Sequence, residues 1–354
     1  MKAFQKNSMK AVIIFFLGAL LLTACKKDDD KEASGNPVAS AIDPGTGKGG
    51  DVLTITGSGL ADIVSILFDK DSVRAGFNPN FNTGSAVIFR IPDTASGGKQ
   101  HIVLTNRLGK KVQVDFDVLA LPLVKMVSSY NFTTGKVITL TGIHLQEVSS
   151  VKLTGTSTEA TIISKSKKQL VISFPATDAP GTTLDITNIT GMATTTQVFV
   201  NLNKAFHFFV DDYENGWTGN FWGSGSISTD FAVSGTTSLK LGYAKGNWSA
   251  NGVANWGDGL ALTTDYKYLS FYIKGGSIEY TLYLTGDQRE VGYGNADQNT
   301  PIVVPPNVWT YYKIPLADLG LWKKGTPFHN LGFWIKGPDT KDEVFYLDDL
   351  ILVK

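Results

Sequence analysis

The sequence predicts an all-β chain: two similar small sandwiches followed by a larger sandwich of jelly-roll form. Three observations carry this. Charged residues make up 18% of the 354 positions while glycine reaches 37 residues and aromatics 11%, a profile of extended strands joined by tight turns. Apolar and polar residues alternate with period two through most of the chain after residue 50. Finally, a string of eight residues returns about 85 positions later. The length allows two or three domains with cores of their own. The formal charge is zero, which gives no electrostatic footprint for nucleic acid and favours a neutral partner.

The first 25 residues read as an export signal. Lys2, Lys6 and Lys10 form a basic start, and Ala11 to Leu22 form an apolar run. That run is shorter than the roughly 20 residues a membrane-spanning helix needs. It ends in Leu22-Thr23-Ala24-Cys25, which resembles a bacterial lipobox, and Cys25 is the only cysteine in the chain. The resemblance implies cleavage before Cys25 and acylation of its thiol. Residues 26–37 begin with Lys26-Lys27-Asp28-Asp29-Asp30-Lys31-Glu32 and hold almost nothing able to pack, so a disordered tether is expected. An acidic run directly after the lipidated cysteine also resembles the surface-export signal of Bacteroidetes lipoproteins. This implies an outer-membrane protein that faces the cell exterior.

Gly50-Asp51-Val52-Leu53-Thr54-Ile55-Thr56-Gly57 returns as Gly135-Lys136-Val137-Ile138-Thr139-Leu140-Thr141-Gly142, and Leu60 and Ile63 fall on Leu145 and Val148. Leu or Ile alternates with Thr in both copies, as in a strand that buries one face. Two similar β-domains are expected, over residues 38–120 and 121–203. Each has short strands, frequent turns and a proline closing one strand, at Pro92 and at Pro175. These features resemble the IPT/TIG type of immunoglobulin-like domain. Neither copy contains tryptophan, and both read as spacers.

Residues 205–354 differ from what precedes them. All seven tryptophans lie here, as do 8 of the 12 tyrosines between Tyr213 and Tyr293. Core packing alone would spread large aromatics over all three domains, so part of the excess is expected at a recognition surface. Leu269, Phe271 and Ile273 alternate with Tyr268, Ser270 and Tyr272, and Tyr280, Leu282 and Leu284 with Thr281 and Tyr283, which argues for antiparallel strands in a jelly roll. Trp222 and Trp256 sit in segments rich in glycine and asparagine, which marks loops. Flat indole faces on loops suit the C–H-rich faces of neutral sugar rings. Trp248 is a third such residue, whereas Trp217, Trp309 and Trp334 lie in strand-like patterns and are expected in the core. Gln288, Arg289 and Tyr293 follow a strand and offer hydrogen-bonding groups for sugar hydroxyls.

The order Asp211-Asp212-Tyr213-Glu214-Asn215-Gly216-Trp217, Ser234 to Leu241, Leu269 to Gly275, Trp309 before Ile314-Pro315-Leu316, and Tyr346-Leu347-Asp348-Asp349-Leu350 resembles non-catalytic carbohydrate-binding modules of jelly-roll form. With the lipobox and both repeats, the chain resembles a Bacteroidetes surface glycan-binding lipoprotein whose last domain is of the xyloglucan-binding type. The resemblance implies a polysaccharide or oligosaccharide ligand and, as neighbours, a TonB-dependent transporter with its glycan-binding lipoprotein and surface glycanases. The 34-residue spacing of Trp222 and Trp256 is similar to the platform pair of that type, and Asn255, which stands where a second aromatic can precede the later tryptophan, is expected among the glycan-binding residues. No cofactor is required. Asp211, Glu214 and Asp349 are expected to meet near the domain's ends and to offer oxygen ligands to a structural calcium, as such modules often do.

A glycosidase would need two carboxylates across the scissile bond. Asp258, Asp287, Glu290 and Asp297 form no acidic cluster on a strand, and the four histidines are scattered without zinc-ligand spacing. A binding protein is therefore expected rather than an enzyme. The alternatives are a surface adhesin that contacts protein and, less favoured, a hydrolase or lyase.

Overall fold

A computed structural model of the protein describes residues 35–287, 301–323, 325–336 and 340–354. Cys25, the tether, Gln288, Arg289 and Tyr293 lie outside the described residues. The rest is all-β, with one short helix at Leu316–Leu319 and three single 3-10 turns. The chain divides into two compact units, residues 1–120 and 121–354.

In the first unit the sheet Val38–Asp43, Val52–Ser58, Ala86–Arg90 faces a second sheet of five strands, centred on Gly98–Asn106. Leu53, Ile55, Phe68, Phe89 and Phe116 fill the space between. Alternation explains the strand: Leu53 and Ile55 are fully buried while Thr54 and Thr56 point outward.

The second unit opens with the repeat. Ile138, Leu140, Leu145 and Val148 are fully buried, as are Leu53, Ile55, Leu60 and Ile63 in the first unit. The two copies even share one steric constraint. A Cβ at Gly57 would stand 1.9 Å from the carbonyl oxygen of Val38, and one at Gly142 1.9 Å from that of Leu123. Both glycines lie at a pairing irregularity between the strand and the domain's first strand, where the backbones approach too closely for any side chain.

From Phe206 the second unit forms a two-sheet sandwich. One sheet has the order Ser224–Ser228, Ser238–Tyr243, Glu343–Val353, Tyr268–Lys274, Trp309–Pro315, with Phe206–Phe209 also on Glu343–Val353. The other runs Thr218–Phe221, Trp248–Ala254, Asn330–Lys336, Tyr280–Gly286, Pro301–Val304. Phe208, Trp217, Phe271, Phe328, Phe333 and Phe345 pack between them. Trp217 is in this core. Trp309 is only half-buried, and Trp334 is buried on the opposite face of its sheet.

Within the second unit the repeat and the sandwich share a small apolar core of Val200, Leu202, Ile351 and Val353. Polar contacts flank it: the Tyr130 amide donates to the Tyr272 hydroxyl at 2.6 Å, and Asn131 Nδ2 donates to Asp349 Oδ2 at 2.9 Å.

The acids read as a calcium site are committed elsewhere. Asp349 is fully buried and accepts from Asn131 and from the Ser234 hydroxyl at 2.7 Å. Asp211 Oδ1 accepts from the amides of Thr236 and Thr237. The Glu214 carboxylate lies 3.0 Å from His207 Nδ1. Among the described residues no group of three or more His, Cys, Asp or Glu could hold a metal ion. Asp211, Glu214 and Asp349 therefore do not fit calcium: their oxygens cap loops and tie strands together.

Candidate functional site: an aromatic sheet face

The five-stranded sheet of the sandwich has two unlike faces. Val253 of Trp248–Ala254 and Leu331, Phe333 and Ile335 of Asn330–Lys336 point into the core, so the intervening positions point away. On that outer face stand Trp248, Ala250, Gly252 and Ala254, with Trp334 opposite Ala250 and Gly332 opposite Gly252. Tyr283, opposite Trp334 on the next strand, packs against it with Ala250. At the other edge Phe221 turns toward the core, so Trp222 turns outward, and its amide donates to the Ala250 carbonyl at 2.9 Å.

Three indoles at this sheet are exposed, Trp222 and Trp248 on this face and Trp256 on the loop after Ala254. Trp222 is 61% exposed, Trp256 64% and Trp248 49%. Trp222 is level with Ala250, and Trp256 follows two residues after the same strand ends at Ala254. Two of the three are backed by a parallel ring. Trp248 stacks on Trp334 at 4.3 Å and 9° between planes, and Trp256 on His329 at 6.4 Å and 11°. His329 is itself held, because Asp287 Oδ2 accepts its amide at 2.6 Å and lies 3.2 Å from its Nδ1. Asp287 Oδ1 accepts from Asn330 Nδ2 at 3.0 Å.

Asn255 does not present its amide to a ligand. It is 9% exposed, its Oδ1 accepts from the amides of Gly257 and Asp258, and its Nδ2 donates to the Asn215 carbonyl. This Asx-type turn shapes the loop that lifts Trp256 out of the sheet. Asn255 is a supporting residue, whereas the sequence placed it among the ligand contacts.

The structure thus adds Trp334, Tyr283, His329 and Asp287 to the residues around the platform. A signal for Trp334 was present: in Asn330-Leu331-Gly332-Phe333-Trp334-Ile335 the apolar triplet Leu331, Phe333, Ile335 claims the core face, so Trp334 belongs to the other. For His329 and Asp287 nothing local in sequence announces the contact, which spans 42 residues.

Such a face can hold a neutral, ring-shaped ligand by contact and hydrogen bonding. Of the acids weighed for hydrolysis, Asp287 is engaged with His329 and Asn330, and Asp258 is exposed in the Trp256 loop. Glu290 and Asp297 lie outside the described residues.

Residues 37–117 match the IPT/TIG domain family. A surface glycan-binding protein, PbSGBP-B of Prevotella bryantii, shares the fold across 91% of this chain and 99% of its own, with a TM-score of 0.52 and 16% identity. An SGBP-B from a complex xyloglucan utilization locus in Bacteroides uniformis matches over 90% of this chain and 99% of its own, with a TM-score of 0.41 and 19% identity. The SGBP-B of a Bacteroides ovatus mixed-linkage glucan utilization locus, in complex with a mixed-linkage heptasaccharide, matches over 90% and 76%, with a TM-score of 0.33 and 15% identity. No curated protein matches the chain.

Proposed function

We propose that this protein is a cell-surface lipoprotein that binds a neutral plant-type polysaccharide, xyloglucan or another β-glucan, and does not cleave it. One observation carries the reading: three exposed indoles stand in the last domain, Trp222 and Trp248 side by side and Trp256 on the loop that follows the same strand, while the two domains before it hold no tryptophan at all. Apolar rings of this size left in water are costly unless they serve contact. The fold held in common with the Prevotella bryantii protein supports the reading. Xyloglucan is favoured by the spacing of Trp222 and Trp256. The IPT/TIG-like domains act as spacers, acylated Cys25 anchors the chain in the outer membrane facing outward, and captured glycan passes to a neighbouring TonB-dependent transporter of a polysaccharide-utilisation system.

Affinity electrophoresis through gels containing xyloglucan, mixed-linkage glucan, mannan or xylan tests the binding. Retardation by a β-glucan gel, abolished in the W222A/W256A double variant with an unchanged circular dichroism spectrum, is the expected result. Equal retention of wild type and variant by every gel would refute the platform. Anchoring is tested separately: C25S should move the protein from the membrane fraction to the soluble one.

A further inference from the structure

The last strand of the second repeat is built differently from its counterpart in the first. In the first repeat Lys111–Val118 runs unbroken beside Gly98–Asn106, and Val112 and Val114, opposite Leu104 and Ile102, pack against the core. In the second, Thr187-Asn188 repeats Thr105-Asn106, so Ile186 takes the place of Leu104, but the residue opposite it is Ala193. Leu184, in the place of Ile102, meets Thr195, whose hydroxyl accepts from the Leu184 amide and whose amide donates to the Leu184 carbonyl, both at 2.9 Å. The strand Gly191–Thr194 then ends, residues 196–198 leave the ladder, and pairing resumes only at Phe199–Asn201. A smaller residue, a polar one and a break thus open the sandwich where two valines close the first repeat.

A pocket of about 190 Å³ occupies the opening. Buried Ile186 and Phe199 and half-buried Tyr130 form its floor, and the Tyr130 and Phe199 rings meet edge to face at 5.4 Å. Thr196 and Gln197 lie at its rim. The hydroxyls of Thr194 and Thr195 serve the fold, donating to Asp185 at 2.7 Å and to the Gln197 carbonyl at 3.2 Å. The Thr196 hydroxyl and the Gln197 side-chain amide bond to no other described residue.

We propose that this pocket of the second repeat binds a single sugar unit, the end of a glycan chain or branch. The inference rests on the glycan-binding reading above for the class of ligand, and it places a second site away from the aromatic sheet face. Size sets the limit: the volume is about the share of six waters in the liquid, which one pyranose displaces and a disaccharide exceeds. The aromatic floor suits the C–H face of a ring. At the rim, a hydroxyl and an amide can both donate and accept, as sugar hydroxyls require, and Lys125 of the lining adds a donor. The second repeat then adds capture to its role as a spacer.

Amide chemical shifts of the whole W222A/W256A chain, which lacks two platform indoles, test the pocket apart from the platform. Glucose, xylose, galactose and mannose are added in turn at millimolar concentration. At least one should shift the amides of residues 193–199 and the Gln197 side-chain amide, in this variant and in wild type alike. Q197A should weaken that sugar about twofold to tenfold, the range of one hydrogen bond. A193L, which restores bulk where the first repeat has Val112, should abolish the response at an unchanged melting temperature; if A193L does not fold, Q197A decides. No shift at residues 193–199 with any of the four sugars, or an unchanged affinity in Q197A, would overturn the pocket, and retention of wild type by a β-glucan gel would then leave the glycan-binding reading standing. Shifts confined to the surroundings of Trp222, Trp248 and Trp256, and lost in W222A/W256A, would overturn it equally. A response at residues 193–199 in a chain that no polysaccharide gel retains would uphold the pocket and refute the platform.

Discussion

Trp256 shows how much of a binding residue's work is done by neighbours that never meet the ligand. Its indole leaves the sheet on a turn closed by Asn255, and its ring lies parallel to His329, which Asp287 holds through two contacts. Removing the backing ring should loosen the platform without removing it. H329A is therefore expected to weaken glycan binding about threefold to tenfold, the range of one aromatic contact, and to add nothing to the loss in W256A; titration of the two single variants and the double variant checks this. N255A removes three hydrogen bonds from a turn that is nearly buried. It should lower stability by about 1–3 kcal/mol in denaturant unfolding and weaken binding as well, whereas W256A, at an exposed ring, should weaken binding with little change in stability.

At the scale of strands, alternation made much of the fold readable. Leu53 and Ile55, with Ile138 and Leu140, are core residues that period two picks out unaided, and their recurrence 85 positions apart exposes the repeat. Gly57 and Gly142 were visible only as turn markers, yet their reason is a carbonyl of the first strand, which pairing alone brings near. G142A should cost about 1–3 kcal/mol, the range for overpacking, and G57A the same in the first unit; urea unfolding of each variant measures it. The loop indoles Trp222 and Trp256 were legible because glycine and asparagine surround them. Trp334 is buried as its apolar neighbours in sequence suggest, but in a small cluster on the outer side of its sheet, which only the pleat of the strand decides, and Asn255 was misplaced because its partners, the Asn215 carbonyl and the next turn, are set by tertiary structure. Asp211, Glu214 and Asp349 converge near the domain's ends in sequence logic, but each is claimed by amides, a hydroxyl or a histidine that the motif does not mention.

Across the second unit, one of two adjacent buried carboxyls joins the repeat to the sandwich. Asp348 and Asp349 are both fully buried midway along the last strand, Glu343–Val353, where its pairing with Tyr268–Lys274 shifts register. Asp349 reaches Asn131 of the repeat, while Asp348 Oδ2 accepts from the amides of Val233 and Ser234 at 2.7 and 3.1 Å. Burial, worsened by the Asp349 charge alongside, pushes the Asp348 carboxyl up to about 8 despite those amides, and burial raises Asp349 as well. An unfolded aspartate titrates near 4. The folded state thus keeps a proton that the unfolded chain gives up, so this contribution to stability is complete below about pH 4, falls as pH rises, and is gone once pH passes the folded value near 8. Other carboxyls pull the opposite way: Asp230, held low by Lys240 and Tyr346, favours folding above pH 4. The difference between wild type and a variant isolates the pair. D348N keeps an oxygen for the Val233 and Ser234 amides and cannot ionise. Its melting temperature should equal or fall slightly below that of wild type at pH 4, and should exceed it by a margin that grows up to about pH 8 and then levels off. A margin that stays flat between pH 4 and 9 would mean that Asp348 is ionised in the folded protein throughout, and that its amide contacts outweigh its burial.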